Sequence, residues 1–508
     1  MSVLVSVDVG TTNLKAAAFD VDGNLISLKK MPSLITYGDN DEGYIDPELL
    51  FENIASLLCQ LTSEVGSSNV TAISVAGMGE AIVPIDKDGH NTYPVIAWFD
   101  MRSRDQVEFM LENISNEQFF SITGLECHPM FSLSKMLWIK SNHPEVYEKS
   151  VMWLPVASYI LYRLSGEAAT DFTLASRTLM LDIHNCKWSK KILDTFNIDK
   201  NTLPKLVDAG TLIGSVTHES AKKTGLKAGT PVVMGGHDHP CTTIPAGILL
   251  SRRLLDSSGT AESALGILNK GATPPTKYEG VRINRHLDSS RIATSAGIIS
   301  SGSSLDWSIN QLASLTNWGI NSKISYEGIM AKVVKVPPGS GGAMFMPHIR
   351  GAGAPFRNPA SKGAFVGLRS SHTQVDLIRA VIEGLCFELK TIVIKMEEVG
   401  GITYDSVATV SGASKIALWQ QIKASVIGKP IMTPEITEAT ALGAAMLAGI
   451  GVKIFKDMRE ASAASFKPGK VYEPDVKIMR LYEDLYQIYK NLYPSLLNIN
   501  SKIDALIK

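Results

Sequence analysis

Neither sign of charge dominates this sequence, since 49 lysine and arginine residues face 50 aspartate and glutamate residues and leave a net charge of -1. A chain without a basic surplus has little electrostatic attraction for nucleic acid or for anionic lipid. We therefore expect neither nucleic acid nor a membrane among its partners.

Cysteines are few and have no pairing pattern: there are five, at positions 59, 127, 186, 241 and 386, with no CxxC spacing. Such an odd, scattered set argues against a disulfide framework and a zinc knuckle. The residues before Asp8 lack a signal peptide's basic region and apolar core, and no later apolar run reaches the roughly 18 residues that a membrane span requires. These absences together predict a cytoplasmic protein with reduced thiols.

The length of 508 residues exceeds the size at which a single core stops growing, which predicts two domains with a cleft between them. Three short, mainly apolar runs, Val3 to Val9, Lys15 to Asp20 and Leu25 to Leu28, predict a β-meander with a glycine-rich first turn. A similar pattern between Arg253 and Lys270 indicates a duplicated fold.

The remaining periodic segments predict an α/β protein. Helices are expected at Pro47 to Glu64, Arg104 to Leu111, Ser132 to Ser141, Gln374 to Lys395, Leu418 to Val426 and Ala439 to Ile450, and further strands at Ala72 to Val75 and Pro231 to Met234. We divide the chain into an N-terminal domain over 1–248, a C-terminal domain over 249–455 and a peripheral helical extension over 456–508.

The first turn carries residues suited to phosphate. Phosphoryl transfer requires backbone donors for phosphate oxygens, an acid for the metal and a base for the attacking hydroxyl. Gly10 allows close backbone approach, Thr11, Thr12 and Lys15 add donors, and Asp8 at the strand end is suited to hold Mg2+ through water. An ordinary hairpin turn with an incidental aspartate would have the same local sequence.

A second candidate segment is the strand Val232 to Met234, which ends in Gly235 and Gly236 before Asp238. Asp238 is placed as a general base would be, and the small glycines would leave room for a substrate. The flanking His237 and His239 invite a metal interpretation. Two histidines separated by one residue, with no third ligand motif nearby, are more often structural or in contact with substrate.

Two small-residue turns in the second half are also suited to a nucleotide. One is the segment Ser257 to Thr260, which repeats the first phosphate turn, and the other is Ser411 to Lys415, which opens a helix. Helix N-termini and close backbone approach favour phosphate or adenosine. Each pattern alone is nonspecific, so the assignment of these turns to a nucleotide depends on the order of all the segments along the chain.

In this order the segments resemble the FGGY carbohydrate kinases of the actin/Hsp70/hexokinase superfamily, from Val3 to about Val452. The most specific element is Gly363-Ala364-Phe365-Val366-Gly367-Leu368, then seven residues, then Asp376-Leu377-Ile378-Arg379-Ala380-Val381-Ile382-Glu383, which matches the family's C-terminal signature. The resemblance implies two ribonuclease-H-like domains, ATP and Mg2+ as cofactors and a sugar or polyol as the small-molecule substrate. A homodimer is a further expectation.

The resemblance also implies roles for individual residues. Asp238 matches the family's catalytic base. The positions matching its nucleotide and metal motifs are Asp8, Gly10, Thr11, Thr12 and Lys15 in the first half and Gly259, Thr260, Gly412 and Ala413 in the second.

On the substrate side, the segment Pro94 to Ser103 resembles the family's tryptophan, acid and arginine motif, and Trp98 is the candidate contact. A core aromatic and a structural ion pair between Asp100 and Arg102 are the alternatives. Glu80 lies where xylulokinases carry a histidine and where glycerol kinases carry a glutamate after arginine. Here Gly79 precedes it, and His239 follows the base, so the chain departs from both patterns.

The predicted activity is ATP-dependent phosphorylation of a sugar or polyol, with a ketose as the favoured acceptor in the manner of a xylulokinase. Glycerol, gluconate and other polyols or sugar acids stay open as acceptors. A nonenzymatic actin-like or Hsp70-like ATP-binding protein would share the phosphate turns but would not explain Asp238. A regulator without turnover would be expected to lack that base.

Overall fold

A computed structural model describes residues 2–39, 42–313 and 326–507. Two mixed sheets, each covered by helices, divide the chain into two α/β domains. The predicted α/β class with two domains is therefore confirmed.

The elements of the first domain lie between Val3 and Thr242. Its strands are β1 (Val3–Val9), β2 (Asn13–Phe19), β3 (Leu25–Pro32), β4 (Thr36–Tyr37), β5 (Gly43–Ile45), β6 (Val70–Gly77), β7 (Ile82–Ile85), β8 (Val95–Ile96), β9 (Met152–Pro155), β10 (Ala169–Asp171), β11 (Leu181–Asp182), β12 (Lys187–Trp188), β13 (Lys205–Val207), β14 (Leu212–Ser215) and β15 (Pro231–His237). Its helices are α1 (Pro47–Val65), α2 (Arg104–Asn113), α3 (Asn116–Thr123), α4 (Ser132–Asn142), α5 (Pro144–Lys149), α6 (Val156–Ser165), α7 (Phe172–Ser176), α8 (Lys190–Phe196), α9 (His218–Thr224) and α10 (Asp238–Thr242).

The elements of the second domain follow from Arg253 onward. Its strands are β16 (Arg253–Ser258), β17 (Glu262–Ile267), β18 (Arg282–Arg285), β19 (Ile292–Ile298), β20 (Met344–Met346), β21 (Ala364–Val366), β22 (Ser406–Val410), β23 (Ile431–Thr433) and β24 (Lys470–Tyr472). Its helices are α11 (Gly302–Ala313), α12 (Tyr326–Val333), α13 (Gln374–Gly400), α14 (Ala417–Ile427), α15 (Ala439–Gly451), α16 (Met458–Ser465), α17 (Val476–Tyr489) and α18 (Leu492–Ile507).

The main sheets share one design. The first has the order β14-β15-β6-β1-β2-β3, and the second has the order β18-β19-β17-β16-β22-β23-β24. In each sheet a central strand, β1 or β16, pairs antiparallel with the next strand of its hairpin and parallel with a strand that follows a helical crossover. The duplication expected from the two hairpin patterns is therefore present.

Local sequence explains the elements that carry the site. Every residue of β1 is buried, as is typical of a central strand covered on both faces. Helix α1 begins with Pro47 after the N-cap Asp46, whose Oδ1 accepts the N–H groups of Glu48 at 2.9 Å and Leu49 at 3.1 Å.

Helix α15 of the second half packs on the first sheet, where its residues share a core with Leu4, Ala72 and Val233. Small residues allow this approach, since a Cβ on Gly443 would lie 2.0 Å from the carbonyl oxygen of Cys241. The residues that open α15 are thereby brought to the first domain.

The segment after residue 455 is less peripheral than its sequence indicates. Strand β24 pairs antiparallel with β23 at the edge of the second sheet. Helix α17 also buries Tyr482, Tyr486 and Tyr489 in the core of that half. Among the described residues, no helix is long and apolar enough to cross a membrane.

Candidate active site

Asp238 lies where β15 ends and α10 begins. Its Oδ1 accepts the backbone N–H of His239 at 2.6 Å and lies 3.0 Å from His237 Nε2, and its side chain is 28% exposed. Burial would raise the pKa of Asp238, but the neighbouring histidines and the His239 N–H hold it below its usual range. The carboxylate is therefore ionised at neutral pH and reachable from the cleft.

The backbone that presents Asp238 is fixed from behind. The His237 N–H donates to Thr173 Oγ1 at 2.8 Å, and the Thr173 hydroxyl donates to Asp171 Oδ2 at 2.6 Å. A Cβ on Gly235 would lie 1.9 Å from the carbonyl oxygen of Val75. Gly235 is thus required for close packing against β6, a role other than the substrate room that the sequence indicated.

Asp8 lies opposite Lys15 on neighbouring strands, with 3.4 Å between Asp8 Oδ2 and Lys15 Nζ. Lys15 Nζ also donates to Glu438 Oε2 at 2.8 Å, which links the first hairpin to the residue that precedes α15. Burial, opposed by Lys15 and aided by the charge of Asp238, raises the pKa of Asp8 to about 6. Two carboxylates, those of Asp8 and Glu438, therefore face a single ammonium group.

The first phosphate turn has its carbonyl groups satisfied by the protein. The Gly10 oxygen accepts the Ser33 hydroxyl at 2.6 Å, and the Thr12 oxygen accepts the Ser33 N–H at 3.0 Å. Within the described ranges, the N–H groups of Thr11 and Thr12 donate to no protein acceptor. Backbone donors without a protein partner at such a turn form a concavity suited to an anion.

The second phosphate turn repeats this arrangement with different partners. The N–H of Gly302 donates to the Gly259 oxygen at 3.0 Å, and the N–H of Ser301 donates to the Thr260 oxygen at 3.0 Å. No acceptor in the described part of the chain receives the N–H groups of Thr260 and Ala261. The two hairpins therefore offer similar sets of donors.

The turn after β22 lies beside the second phosphate turn, since Ser411 Oγ is 3.1 Å from Ser257 Oγ. Ser411 has a φ of 74°. A Cβ on Gly412 would meet nothing within 4 Å, so this residue borders open space. The Ala413 carbonyl is held by the Gln420 side chain at 2.8 Å. We refer to residues 411–415 as the adenosine turn.

Trp98 is 37% exposed, and its indole N–H donates to Thr11 Oγ1 at 2.9 Å. It is therefore not a core aromatic, and it connects the substrate segment to the first phosphate turn. Asp100 is fully buried and accepts the Gly43 N–H at 2.8 Å and the Arg102 Nε–H at 3.0 Å. Asp100 and Arg102 therefore form a structural ion pair, which was the alternative to direct contact with substrate.

Glu80 is buried with a φ of 63°, and its Oε1 accepts the Nε–H of Arg177 at 2.6 Å. Burial would raise the pKa of Glu80, but Arg177 and His237 hold it below its usual range. A Cβ on Gly79 would lie 2.8 Å from Arg177 Cγ. The glycine that departs from the glycerol kinase pattern therefore makes room for a guanidinium from elsewhere in the chain.

Sequence reasoning missed several charged residues around Glu80. Arg177 and Arg282 lie 5.1 Å and 5.5 Å from the ring centroid of Phe131. Lys135 Nζ donates to the Ala97 carbonyl at 2.8 Å, and burial lowers the pKa of Lys135 to about 7. The buried face of the predicted helix Ser132 to Ser141 could have identified Lys135, whereas no local pattern marks Arg177.

Across residues 2–39, 42–313 and 326–507, no group of three His, Cys, Asp or Glu side chains is arranged to hold a metal ion. His237 and His239 have ring centroids 5.9 Å apart, and His237 is engaged by Asp238.

Two hairpins with donors for phosphate and an ionised carboxylate define the class of protein: the arrangement is that of a phosphotransferase. Residues 3–244 match the N-terminal domain of the FGGY family of carbohydrate kinases, and residues 258–452 match its C-terminal domain. The chain belongs to this family and is a sugar kinase. The predicted family is confirmed, and the nonenzymatic alternative is set aside.

Similar proteins cover nearly the whole chain. A xylulose kinase of Staphylococcus xylosus is 26% identical over 97% of this chain and 100% of its own length. A gluconokinase of Bacillus subtilis (strain 168) is 25% identical over 99% of this chain and 96% of its own length. The crystal structure of a ligand-bound xylulose kinase from Lactobacillus acidophilus has a TM-score of 0.90 at 24% identity, covering 99% of this chain and 100% of that one, and supports the fold.

Proposed function

We propose that this enzyme transfers the γ-phosphate of ATP to a hydroxyl group of a ketose, with Asp238 as the general base. The observation that carries the proposal is the state of Asp238: its pKa is held below the usual range, its side chain is 28% exposed, and its charge acts on the buried Asp8. A base must be deprotonated and within reach of the attacking hydroxyl. The names of the xylulose kinase relatives favour a ketose over a polyol or a sugar acid.

The nucleotide is expected to bind across both domains. In this proposal the N–H groups of Thr11 and Thr12 and the Lys15 ammonium bind phosphate oxygens from one side. Gly259 and Thr260 bind them from the other side, and Gly412 and Ala413 contact adenosine. Donors of this kind stabilise the charge that spreads over the phosphoryl oxygens in the transition state.

Magnesium fits the acidic end of this site. Asp8 and Glu438 both face the Lys15 ammonium, and burial together with the charge of Asp238 raises the pKa of Asp8 to about 6 against the attraction of Lys15. Mg2+ prefers oxygen ligands and is commonly held by one or two carboxylates together with water and substrate phosphates. We assign Asp8 as the residue that holds the ion, which would neutralise phosphate charge when it is bound.

The sugar is expected to lie against the first domain. In this proposal Asp238 takes the proton of the attacking hydroxyl, and Trp98, Glu80 and His239 contact the rest of the sugar. Because Arg177 already occupies one oxygen of Glu80, the second oxygen is the one assigned to a sugar hydroxyl. Domain closure over the ligands would exclude water and suppress ATP hydrolysis.

The division of the chain at residue 248, a cytoplasmic location and a homodimer belong to the same proposal. A cytoplasmic kinase has direct access to ATP. The oligomeric state is tested by light scattering on the purified protein at two concentrations, where a mass near 54.9 kDa would contradict the dimer.

The test of the proposed function is ADP release from Mg-ATP across a panel of ketopentoses, ketohexoses, polyols and sugar acids. Asp238→Ala is the blank. A ketose that stimulates ADP release in the wild-type protein and not in the variant supports the proposal. A polyol or sugar acid as the best acceptor would replace the ketose, and stimulation that survives in the variant would remove Asp238 as the base.

A further inference from the structure

A buried ionic cluster lies beneath the second phosphate turn. Lys423 of α14 contacts Asp256 and donates to Glu262 Oε1 at 2.9 Å and to Ser258 Oγ at 3.0 Å. These side chains are 0–2% exposed. Burial raises the pKa of Asp256. The charge of Glu262 raises it further, because one ammonium group faces both carboxylates.

The fold itself does not require these charges. In the first hairpin the ladder pair next to the turn is Val9 and Leu14, and in the second hairpin the matching pair is Ser258 and Glu262. The first turn is thus built over an apolar core by the same topology. Buried ion pairs are often no more stabilising than apolar side chains of similar volume, so fully buried charges at a position that is apolar in the first hairpin call for another reason.

The cluster reaches the second phosphate turn through Ser301. The Ser301 hydroxyl donates to Glu262 Oε2 at 2.6 Å, and the Ser301 N–H donates to the Thr260 carbonyl at 3.0 Å. Glu262 therefore fixes the residue that binds a carbonyl of the turn. The N–H groups of Thr260 and Ala261 in the same turn have no acceptor among the described residues.

The same cluster reaches the adenosine turn from two sides. Thr409, which lies two residues before Ser411 in the chain, donates from its hydroxyl to Asp256 Oδ2 at 2.9 Å. Lys423 belongs to α14, the helix that follows the adenosine turn. One set of directional bonds thus connects β16, β17, β22 and α14, the four elements that carry both turns.

We propose that Lys423, Asp256 and Glu262 are positioning residues that hold the second phosphate turn and the adenosine turn at a fixed separation, so that one nucleotide can contact both. The inference rests on the proposed function only in assigning these two turns to the nucleotide. A ligand that spans two sites gains affinity when their spacing is set in advance. A ligand that needs only one of the turns gains nothing from that spacing.

The experiment compares ADP with adenosine by displacement of a fluorescent ADP analogue from the full-length protein. In Lys423→Met we expect ADP affinity to fall at least about tenfold and adenosine affinity to change by less than about threefold. The proposal is overturned when both ligands keep their wild-type affinity, or when both lose it by the same factor.

A second variant keeps the test valid if Lys423→Met fails to fold, which could happen because two buried carboxylates lose their cation. The combination of Asp256→Val, Ser258→Val, Glu262→Leu and Lys423→Met gives this turn an apolar core like that of the first hairpin. Because it leaves no buried charge, we expect its melting temperature to be near the wild-type value, with ADP affinity still reduced selectively. Wild-type ADP affinity in this folded variant would show that the directional bonds have no positioning role.

A matched control is the buried pair Arg379 and Glu383 of α13, with 2.9 Å between Arg379 Nε and Glu383 Oε1. It also lies in the second half, but it bonds to Tyr482 and Ser340 and to neither turn. Combining Arg379→Met with Glu383→Gln should leave ADP affinity within about twofold of wild type. A selective loss of ADP affinity here would mean that any buried pair of this half has the same effect, against the proposal.

The binding assay separates this inference from the proposed function because it needs no turnover. Wild-type protein that binds ADP but phosphorylates no acceptor contradicts the proposed function, and the comparison of ADP with adenosine still decides the inference. An active sugar kinase whose ADP affinity is unaffected by Lys423→Met contradicts the inference alone. Wild-type protein that does not bind ADP contradicts both.

Discussion

Replacement of Asp238 by asparagine separates the chemical step from binding more cleanly than any other change at the site. The amide oxygen can still accept the His239 N–H that Asp238 Oδ1 accepts at 2.6 Å, so the start of α10 should keep its geometry. What is lost is the capacity to take a proton.

The size of the effect follows from the role. Positioned general bases contribute about 10²- to 10⁴-fold to the rate, which corresponds to about 3–5 kcal/mol of barrier. We expect kcat to fall within this range, because the hairpin donors and Lys15, which the proposal assigns to the phosphoryl charge, are untouched. The dissociation constant for ADP should stay within about threefold of wild type, because no nucleotide contact is assigned to Asp238.

The assay is steady-state ADP release with the accepted ketose, beside calorimetric titration of ADP into each protein. Thermal unfolding of both proteins serves as the check on folding. A kcat within about threefold of wild type would refute Asp238 as the base. Loss of ADP binding together with kcat would show that the residue acts on the nucleotide instead.

Three further predictions concern residues around the base. Because its folded-state pKa of about 6 lies above the usual 3.8, Asp8 destabilises the fold when ionised, so Asp8→Asn should stabilise the ligand-free protein at pH 7.5 by up to about 3 kcal/mol while abolishing most activity. This gain should shrink as the pH falls below about 6, where native Asp8 takes up a proton; chemical denaturation at pH 7.5 and 5 measures it, and a variant less stable than wild type at pH 7.5 would contradict it. Arg177→Met leaves Glu80 buried without its cation and should cost about 3–5 kcal/mol of unfolding free energy, whereas adding Glu80→Gln should restore much of the stability without restoring the KM for sugar. If the double change restored that KM, Arg177 and Glu80 would have a role in stability and none in sugar binding. Gly443→Ala places a methyl group against the Cys241 carbonyl and should lower the melting temperature, while Gly412→Ala, which meets nothing within 4 Å, should not; equal melting temperatures would mean that α15 can shift away at no cost.

The sequence predicted the elements with strong local signals to within a few residues. Pro47 after Asp46 marks the start of α1, and the buried run of β1 is readable as a central strand. The glycine turns at residues 10 and 259 indicated the hairpins because close backbone approach favours that residue type. These features depend on the local chain, so one sequence is enough to find them.

Contacts between distant segments were not predictable in the same way. Arg177 reaches Glu80 across 97 positions, and Lys423 reaches Asp256 across 167. Arg177 follows the short helix α7 and Lys423 lies within α14, and no local pattern marks the partner of either residue. Gly79 is a visible departure from the family pattern, but the guanidinium that fills the space beside it becomes evident only in three dimensions.

The central claim is that phosphate moves from ATP to a sugar hydroxyl, and its most direct measurement is phosphorus NMR of the wild-type protein with Mg-ATP and the best ketose of the panel. We predict a sugar phosphate monoester that grows in proportion to ADP and that forms at least about a hundredfold more slowly with Asp238→Asn. Formation of ADP with inorganic phosphate and no monoester would contradict the account, because the protein would then transfer phosphate to water.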